Sequence, residues 1–364
     1  MVARTVDKES LTVGSTALGA VGIGLLLLWY PDAVANGIRR GLSVCSTVII
    51  PTLYPFMLLS GWLSHSPLCR HPRRVSRFVA HRLFGLPACC APAILIGLVG
   101  GYPAGILAMA QLYRQGLIRR EECHRMTAYC VGGGPGFVIS TVGALLLGSV
   151  QAGVWLLIGQ VAASLLIGTA LGRGHRTYTA DPTPTEDTPA PFAHIVRDTC
   201  GALLTMCGFV VLGAMALSLC EAAGLATSLA ALFHLPSGTV SALLAGLIEV
   251  SSGSIAVAGL GVSPVWLSLV LSWGGLAVHG QLAAALPEER ILGGRFWGWR
   301  LSHGLLSGAI TALLFHFFPP DRFTVGQNTA TLPYSASVSA SVTLILLSFL
   351  TMLCFPEKKA GKTK

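Results

Sequence analysis

The chain has 364 residues, of which 53% are hydrophobic and only 11% charged, with a mean hydropathy of +0.69. A soluble domain carries about 25% charged residues, so the composition excludes an ordinary soluble protein and indicates an integral membrane protein. The net charge of +9 lies largely in short segments between apolar runs, which argues for a lipid bilayer and against nucleic acid as a partner. The ten cysteines form no C-x-x-C pair, so we predict neither a metal site, nor a disulfide framework, nor a bound cofactor.

Apolar windows of about 20 residues, long enough to span a bilayer, predict an all-α polytopic protein with about eight transmembrane helices. The windows lie near residues 11–30, 41–63, 127–149, 150–172, 198–220, 264–286, 300–318 and 334–355. Ala33-Val34-Ala35 follows the first window and leaves cleavage of a signal peptide as an alternative to a permanent first helix.

Two further apolar stretches, near 88–113 and 237–262, are interrupted in the middle. They read LIGLVGGYPAGILAMA from Leu95 and LAGLIEVSSGSIAVAG from Leu244. Superposed at an offset of 149 residues, their apolar flanks match, and a polar or glycine-rich centre breaks both. Interrupted segments at matching positions of two halves indicate the binding site of a secondary transporter.

The positive charges favour re-entrant hairpins over full crossings for these two stretches. The loops 65–87 and 114–126 flank the first stretch and are both rich in arginine, which is typical of cytoplasmic loops. We therefore expect the first hairpin to enter from the cytoplasm with Gly101-Tyr102-Pro103 at its tip, and the second from outside. The two halves then form inverted repeats, similar in plan to concentrative nucleoside transporters, with both termini and the segment around Arg290, Arg295 and Arg300 in the cytoplasm.

This topology divides the chain into five parts. These are an N-terminal transmembrane helix (1–36), a first repeat (37–176), a cytoplasmic linker rich in proline and threonine (177–193), a second repeat (194–300), and C-terminal helices with a basic tail (301–364).

Each hairpin is followed by a span with its own glycine break. Val131–Phe137 reads VGGGPGF, and Ser272–Gly275 reads SWGG. Broken helices free backbone amides, and helix N-termini attract anions, so four converging breaks would form a polar cavity with few charged side chains. Close helix packing through small residues is the alternative.

Glu249 is the only acidic residue deep in an apolar segment, and a carboxyl at that depth indicates a functional role by default. Capping of the backbone break is the alternative. His279 is a second titratable group near a break. The candidate substrate-binding residues are Gly101, Tyr102, Pro103, Gly105, Gly133, Gly134, Pro135, Phe137, Glu249, Ser251, Ser252, Ser254, Gly274, Gly275, His279 and Gln281.

Catalytic motifs are absent from the sequence. It has no G-x-S-x-G elbow, no H-E-x-x-H and no Walker motif. We therefore expect no enzymatic activity.

Five segments, in order, resemble the sporulation integral membrane protein YlbJ (SpoVV-like) family, part of the nucleoside-recognition or Gate-domain group. They are PTLYPF from Pro51, GYPAG from Gly101, GPGF from Gly134, LIEVSSG from Leu247 and GGLAVHGQ from Gly274. The resemblance implies a spore-forming bacterium and movement of dipicolinate across the outer forespore membrane. Departures from the polar hairpin signatures of nucleoside transporters make a nucleoside the weaker substrate hypothesis.

The favoured interpretation is a secondary transporter of a small anionic or polar metabolite, dipicolinate by resemblance, coupled to H+ or Na+ in the cell membrane or outer forespore membrane. A non-transporting scaffold for spore envelope assembly, a nucleoside transporter and a homo-oligomeric assembly stay open as alternatives.

Overall fold

The computed structural model describes residues 17–64, 77–173, 191–286 and 292–320, and these residues form an all-helical structure. The helices of the first half are α1 (Ala17–Trp29), α2 (Pro31–Val44), α3 (Ile50–Ser64), α4 (Val79–Phe84), α5 (Cys90–Gly100), α6 (Tyr102–Arg114), α7 (Arg120–Met126), α8 (Gly136–Leu146) and α9 (Val150–Gly172). Those of the second half are α10 (Phe192–Ala222), α11 (Leu225–Phe233), α12 (Ser237–Ile248), α13 (Val250–Gly259), α14 (Val265–Trp273), α15 (Gly275–Ala285) and α16 (Gly294–Phe317). Helices α4 and α8 are π-helical, and a π-helical turn at Cys45–Ile49 joins α2 to α3.

Four of the described helical segments are long and apolar enough to cross a membrane. They are Pro31–Leu59, Val150–Gly172, Phe192–Ala222 and Val265–Ala285, and a fifth is added if α11 and α12, bent by 119°, are one span. Many leucines on these helices are exposed, as expected where lipid replaces water. The protein is thus a multi-pass membrane protein.

The first interrupted stretch is a helical hairpin. Helix α5 ends at Gly100 and α6 begins at Tyr102, with Gly101 between them at φ 81°. A Cβ atom built on Gly105 would lie 2.8 Å from the Cα atom of Gly97. Residues eight apart in one straight helix are about 12 Å apart, so the two arms fold back on each other.

The second interrupted stretch folds in the same way around Glu249, whose φ of −148° and ψ of 130° are extended. Helices α12 and α13 meet through Gly246 and Gly253, and a Cβ atom on Gly253 would overlap the Gly246 backbone. The two hairpin folds thus occur at the two positions that the repeat predicts.

Helices α2 and α10 pack in antiparallel fashion through small residues. A Cβ atom on Gly37 would lie 2.6 Å from the Cα atom of Met215, and one on Gly41 would lie 2.7 Å from that of Val211. At the same end, Arg40 and Glu221 form an exposed ion pair of 3.0 Å.

Two sequence predictions need correction. The window 127–149 is not one helix, because Val131–Gly134 is not helical and α8 begins only at Gly136. Arg300 does not lie in a loop, because α16 begins at Gly294 and buries it to 1% exposure. The count of eight spans stays a prediction, since the described residues hold four or five candidate spans and the window 334–355 lies outside them.

Other predictions are met in part or lie outside the described residues. The windows 150–172, 198–220 and 264–286 correspond to α9, to the interior of α10 and to α14 with α15. The repeat boundaries at 36/37 and 300/301 fall within α2 and α16. The window 334–355 and most of the linker 177–193 lie outside the described residues.

Candidate binding site at the converging helix breaks

In the first half, the break of the hairpin lies against the break of the following span. A Cβ atom on Gly101 would lie 2.8 Å from the backbone nitrogen of Gly134, and one on Gly134 would lie 3.0 Å from the nitrogen of Gly101. Only glycine permits this approach, and at Gly101 the positive φ requires glycine as well.

The second half repeats this contact with different residues. A Cβ atom on Gly275 would lie 2.9 Å from the backbone nitrogen and the Cα atom of Glu249. Gly274 and Gly275 both have positive φ, 80° and 77°, and the pair separates α14 from α15. Gly275 therefore packs against the backbone of Glu249 as Gly134 packs against that of Gly101.

Tyr102 joins the two halves. Its side chain is 3% exposed, and its hydroxyl donates a hydrogen bond to the carbonyl oxygen of Leu271 in α14. The Tyr102 ring lies 3.3 Å from the position of a Cβ atom on Gly274, and its hydroxyl oxygen lies 3.5 Å from that of a Cβ atom on Gly133. The predicted convergence of the four breaks is present, and Tyr102 lies where they meet.

Glu249 is itself the break of the second hairpin, and its carboxylate caps helix α13. One oxygen accepts from the backbone nitrogen of Ser251 at 2.8 Å, and the other accepts from that of Ser252 at 2.7 Å. The side chain is 1% exposed. An acidic N-cap of this kind satisfies two of the free amides of the first turn and complements the helix dipole.

His279 lies one turn beyond the Gly274-Gly275 break, and its contacts fix it firmly. Its Nε2 atom is 2.9 Å from the carbonyl oxygen of Trp273, so Nε2 carries the proton. Its ring packs edge-on against Trp273, Phe296 and Trp297 at centroid distances of 4.7 to 5.0 Å. Its Nδ1 atom is buried and has no hydrogen-bond partner among the described residues.

The remaining predicted site residues divide into packing residues and neighbours of the breaks. Gly105 packs within the first hairpin, Phe137 belongs to the apolar core, and the Ser254 hydroxyl donates to the carbonyl oxygen of Val250 at 2.7 Å. Pro103 is in the first turn of α6 and Pro135 directly precedes α8. The Ser251 hydroxyl and the Gln281 Oε1 atom are buried with no hydrogen-bond partner among the described residues.

Arg300 is the main residue of this region that the sequence analysis missed. Its side chain is 1% exposed, and its Nη2 atom donates to the carbonyl oxygen of Ser272. The carbonyls of Leu271, Ser272 and Trp273, at the end of α14, are thus bound by Tyr102, Arg300 and His279. A basic group at a helix C-terminus also complements the helix dipole.

A polar stripe on α16 continues from Arg300. Its members follow one face at intervals of three and four residues, all at 1% exposure or less: Arg300, His303, Ser307 and Thr311. His303 Nε2 lies 2.9 Å from the Ser164 hydroxyl and 3.2 Å from the Gln160 carbonyl oxygen, both in α9. This periodic pattern was present in the sequence and could have identified α16 as a polar, inward-facing helix.

Gln160 links the stripe back to the first half. Its Oε1 atom accepts from the backbone nitrogen of Gly133 at 3.1 Å, while its Nε2 atom has no partner among the described residues. Gln160 thus contacts His303 through its backbone carbonyl and Gly133 through its side chain, and Gly133 adjoins the Tyr102 hydroxyl.

Helix N-termini and the buried cation Arg300 are the main polar groups at the breaks. Within the described ranges, no group of three or more His, Cys, Asp or Glu side chains is placed to hold a metal ion. Helices α6, α8, α13 and α15 begin at the breaks. The N-terminal amides of α6, α8 and α15 carry partial positive charge, whereas two of those of α13 are bound by the Glu249 carboxylate. Arg300 adds a full positive charge beside them.

The chain is similar to the sporulation integral membrane protein YlbJ of Bacillus subtilis (strain 168). The two are 24% identical over 320 residues, which cover 79% of this chain and 78% of that protein. No family model matches the chain, and no solved structure matches it. The similarity confirms the family resemblance that the sequence motifs indicated.

Proposed function

We propose that the chain, which is similar to the sporulation integral membrane protein YlbJ, is a secondary transporter of a small anionic metabolite. The observation that carries this proposal is the meeting of Gly101 with Gly134 and of Glu249 with Gly275, bridged by Tyr102. Discontinuous helices that meet between two repeats are the usual architecture of a transport site.

The breaks explain how such a protein binds a charged solute without a large set of charged side chains. The N-termini of α6, α8 and α15 offer backbone amides, and the non-helical stretch Val131–Gly134 offers further backbone groups. Irregular backbone at membrane depth persists only where protein covers it or where it lines a polar cavity. A binding cavity at the breaks satisfies this condition.

Alternating access follows from the two hairpins in this proposal. The first hairpin enters the membrane from the cytoplasm and the second from the other side, and the substrate is exposed to one side at a time. Dipicolinate is the substrate we propose, because of the family resemblance, and H+ or Na+ is the coupling ion.

The scaffold hypothesis is the second candidate. The name of the Bacillus subtilis relative describes sporulation and a membrane location, and a non-transporting protein needed for envelope assembly fits both. The carboxylate of Glu249 as a helix cap, and the aromatic packing of His279, are also compatible with a purely structural protein.

Uptake of radiolabelled dipicolinate into proteoliposomes distinguishes the two candidates. We expect saturable uptake that a proton or sodium gradient accelerates, with unlabelled dipicolinate competing and uridine not competing. Protein-free liposomes and liposomes with Y102A protein are the controls. Uptake no faster than in protein-free liposomes, by protein shown to be folded and inserted, would favour the scaffold, and competition by uridine would favour a nucleoside transporter.

A further inference from the structure

Arg300 is a buried cation with most of its hydrogen-bonding capacity unused. A guanidinium has five N–H donors, and within the part of the chain that the structure describes Arg300 makes one hydrogen bond, from Nη2 to the carbonyl oxygen of Ser272. Its Nε and Nη1 atoms are buried and have no partner among the described residues. No carboxylate of those residues pairs with it, since Glu249 is occupied by the backbone of α13.

A buried, unpaired charge is very costly, and such residues inside a membrane mark ligand pathways or counter-ions. We propose that Arg300 binds a carboxylate group of the transported anion through its free N–H groups. That the bound anion is also the transported one rests on the proposed function. The binding site itself is defined by the geometry around Arg300.

The surroundings of Arg300 are those of an anion site. The carbonyl that it binds belongs to the last turn of α14, directly before the Gly274-Gly275 break. Tyr102 binds the preceding carbonyl, that of Leu271, from the other repeat. The guanidinium therefore lies beside the meeting point of the breaks and not in a separate part of the fold.

Further buried polar groups without partners lie on the residues around Arg300. The hydroxyl of Ser272, whose carbonyl Arg300 binds, is such a group and a potential donor. A planar carboxylate accepts hydrogen bonds at both oxygens and matches the fork of a guanidinium. A dicarboxylate would place its second group toward the remaining donors and the helix N-termini, which is the ligand class we assign to the site.

Capping of α14 alone does not explain this choice of residue. One neutral donor would cap the Ser272 carbonyl, as the Tyr102 hydroxyl caps that of Leu271. Arg300 supplies in addition a full charge and at least three N–H groups that the cap does not use.

The test compares purified R300Q, R300K and R295Q proteins with the wild type in detergent. Gln at position 300 retains an N–H donor for the cap and removes the charge, and Lys retains the charge and removes the fork. Arg295 is the matched control, because it is an exposed arginine on the same helix. Binding is measured by calorimetry with dipicolinate, with isophthalate, which has the same spacing of carboxylates, and with the neutral pyridine-2,6-dicarboxamide.

We expect R300Q to raise the Kd of both dicarboxylates by about 10- to 100-fold, the range of a lost charge-assisted hydrogen bond. R300K should raise the Kd of the dicarboxylates by a smaller factor, and R295Q should leave it unchanged. The Kd of the diamide should change less than about 3-fold in every variant, since a neutral ligand gains little from the cation. A merely structural role predicts equal losses for the charged and neutral ligands, so that result would overturn the proposal. Unchanged binding of dicarboxylates by R300Q, or no binding of either dicarboxylate by the wild type, would overturn it as well.

Uptake into proteoliposomes separates this inference from the proposed function. Binding that depends on Arg300, together with no uptake by the wild type, would refute transport and leave the anion site in place. Uptake by R300Q with the wild-type KM would refute the site and leave transport in place.

Discussion

The hydroxyl of Tyr102 donates a hydrogen bond to the backbone carbonyl oxygen of Leu271, and this bond joins the first hairpin to the broken span of the second repeat. Leu271 is fully buried, and its carbonyl belongs to the last turn of α14, whose final carbonyls have no partner within the helix. Any displacement of the first hairpin relative to α14 must stretch or break this bond. In an alternating-access transporter the bond would contribute to the relative stability of the two states.

The first prediction concerns the Tyr102 hydroxyl. Y102F removes the donor and leaves the buried carbonyl of Leu271 without it, which costs about 1–3 kcal/mol. We expect a lower thermal unfolding temperature in detergent and slower uptake of dipicolinate, whereas Y102A should abolish uptake while the protein still inserts.

Y129F is the control for this variant. Tyr129 is also buried, at 2% exposure, but its ring stacks on Phe84 in the first half at a centroid distance of 5.3 Å. Removal of the Tyr129 hydroxyl should leave uptake close to that of the wild type. Equal uptake by Y102F and the wild type would show that the bond between the repeats does not matter for transport.

The sequence predicted the hairpins because backbone-breaking residues at matching positions leave few other folds. Gly101 and Glu249 are the breaks, and the contacts of Gly97 with Gly105 and of Gly246 with Gly253 show the folded arms. The local signal was sufficient here, since a glycine at positive φ and an acidic N-cap are both recognisable from neighbouring residues.

The role of Arg300 was not predictable from charge counting. Its neighbours Arg290 and Arg295 suggested a basic loop, and the rule on positive charges treats all arginines of a short segment alike. The start of α16 decides whether Arg300 lies in a loop or in a helix. Because α16 begins at Gly294, position 300 falls in its second turn, on the same face as His303, Ser307 and Thr311. Helix ends are set by caps and tertiary contacts, which a hydropathy window does not detect.

The second prediction concerns the carboxylate of Glu249. E249Q keeps one oxygen acceptor for the backbone of Ser251 or Ser252 and turns an amide donor toward the other N–H group, so it should destabilise the protein by about 1 kcal/mol. We expect the protein to insert but to lose uptake, because the substitution removes the negative charge at the hairpin break and one of its two capping hydrogen bonds.

E221Q is the matched control for E249Q. Glu221 forms an exposed ion pair with Arg40 at 3.0 Å, and such pairs contribute about 0–1 kcal/mol. It should have little effect on uptake or on thermal stability. If E249Q protein transports at the wild-type rate, or spores that carry it accumulate dipicolinate normally, Glu249 acts only as a helix cap.

The third prediction tests the contact between the breaks. G275A adds a methyl group 2.9 Å from the backbone of Glu249 at a φ of 77°, and the left-handed conformation alone costs about 1–2 kcal/mol. We expect clear loss of thermal stability and of uptake. G208A is the control, because a Cβ atom on Gly208 in α10 has nothing within 4 Å, and alanine in a helix is neutral or stabilising. Similar unfolding temperatures for the two variants would contradict the close packing of the breaks.

The fourth prediction tests whether the two hairpins enter from opposite sides. In a background without reactive native cysteines, single cysteines are placed before and after each hairpin, at the exposed positions Phe78, Gln115, Leu235 and Ser263. A re-entrant first hairpin returns to the side from which it enters, so F78C and Q115C should react with a membrane-impermeant maleimide only after the cells are permeabilised. L235C and S263C should react in intact cells, because the second hairpin opens outward. Labelling of F78C and Q115C from opposite sides would instead mean that Cys90–Arg114 crosses the membrane. The two repeats would then not be inverted, and the proposed alternating access depends on that inversion.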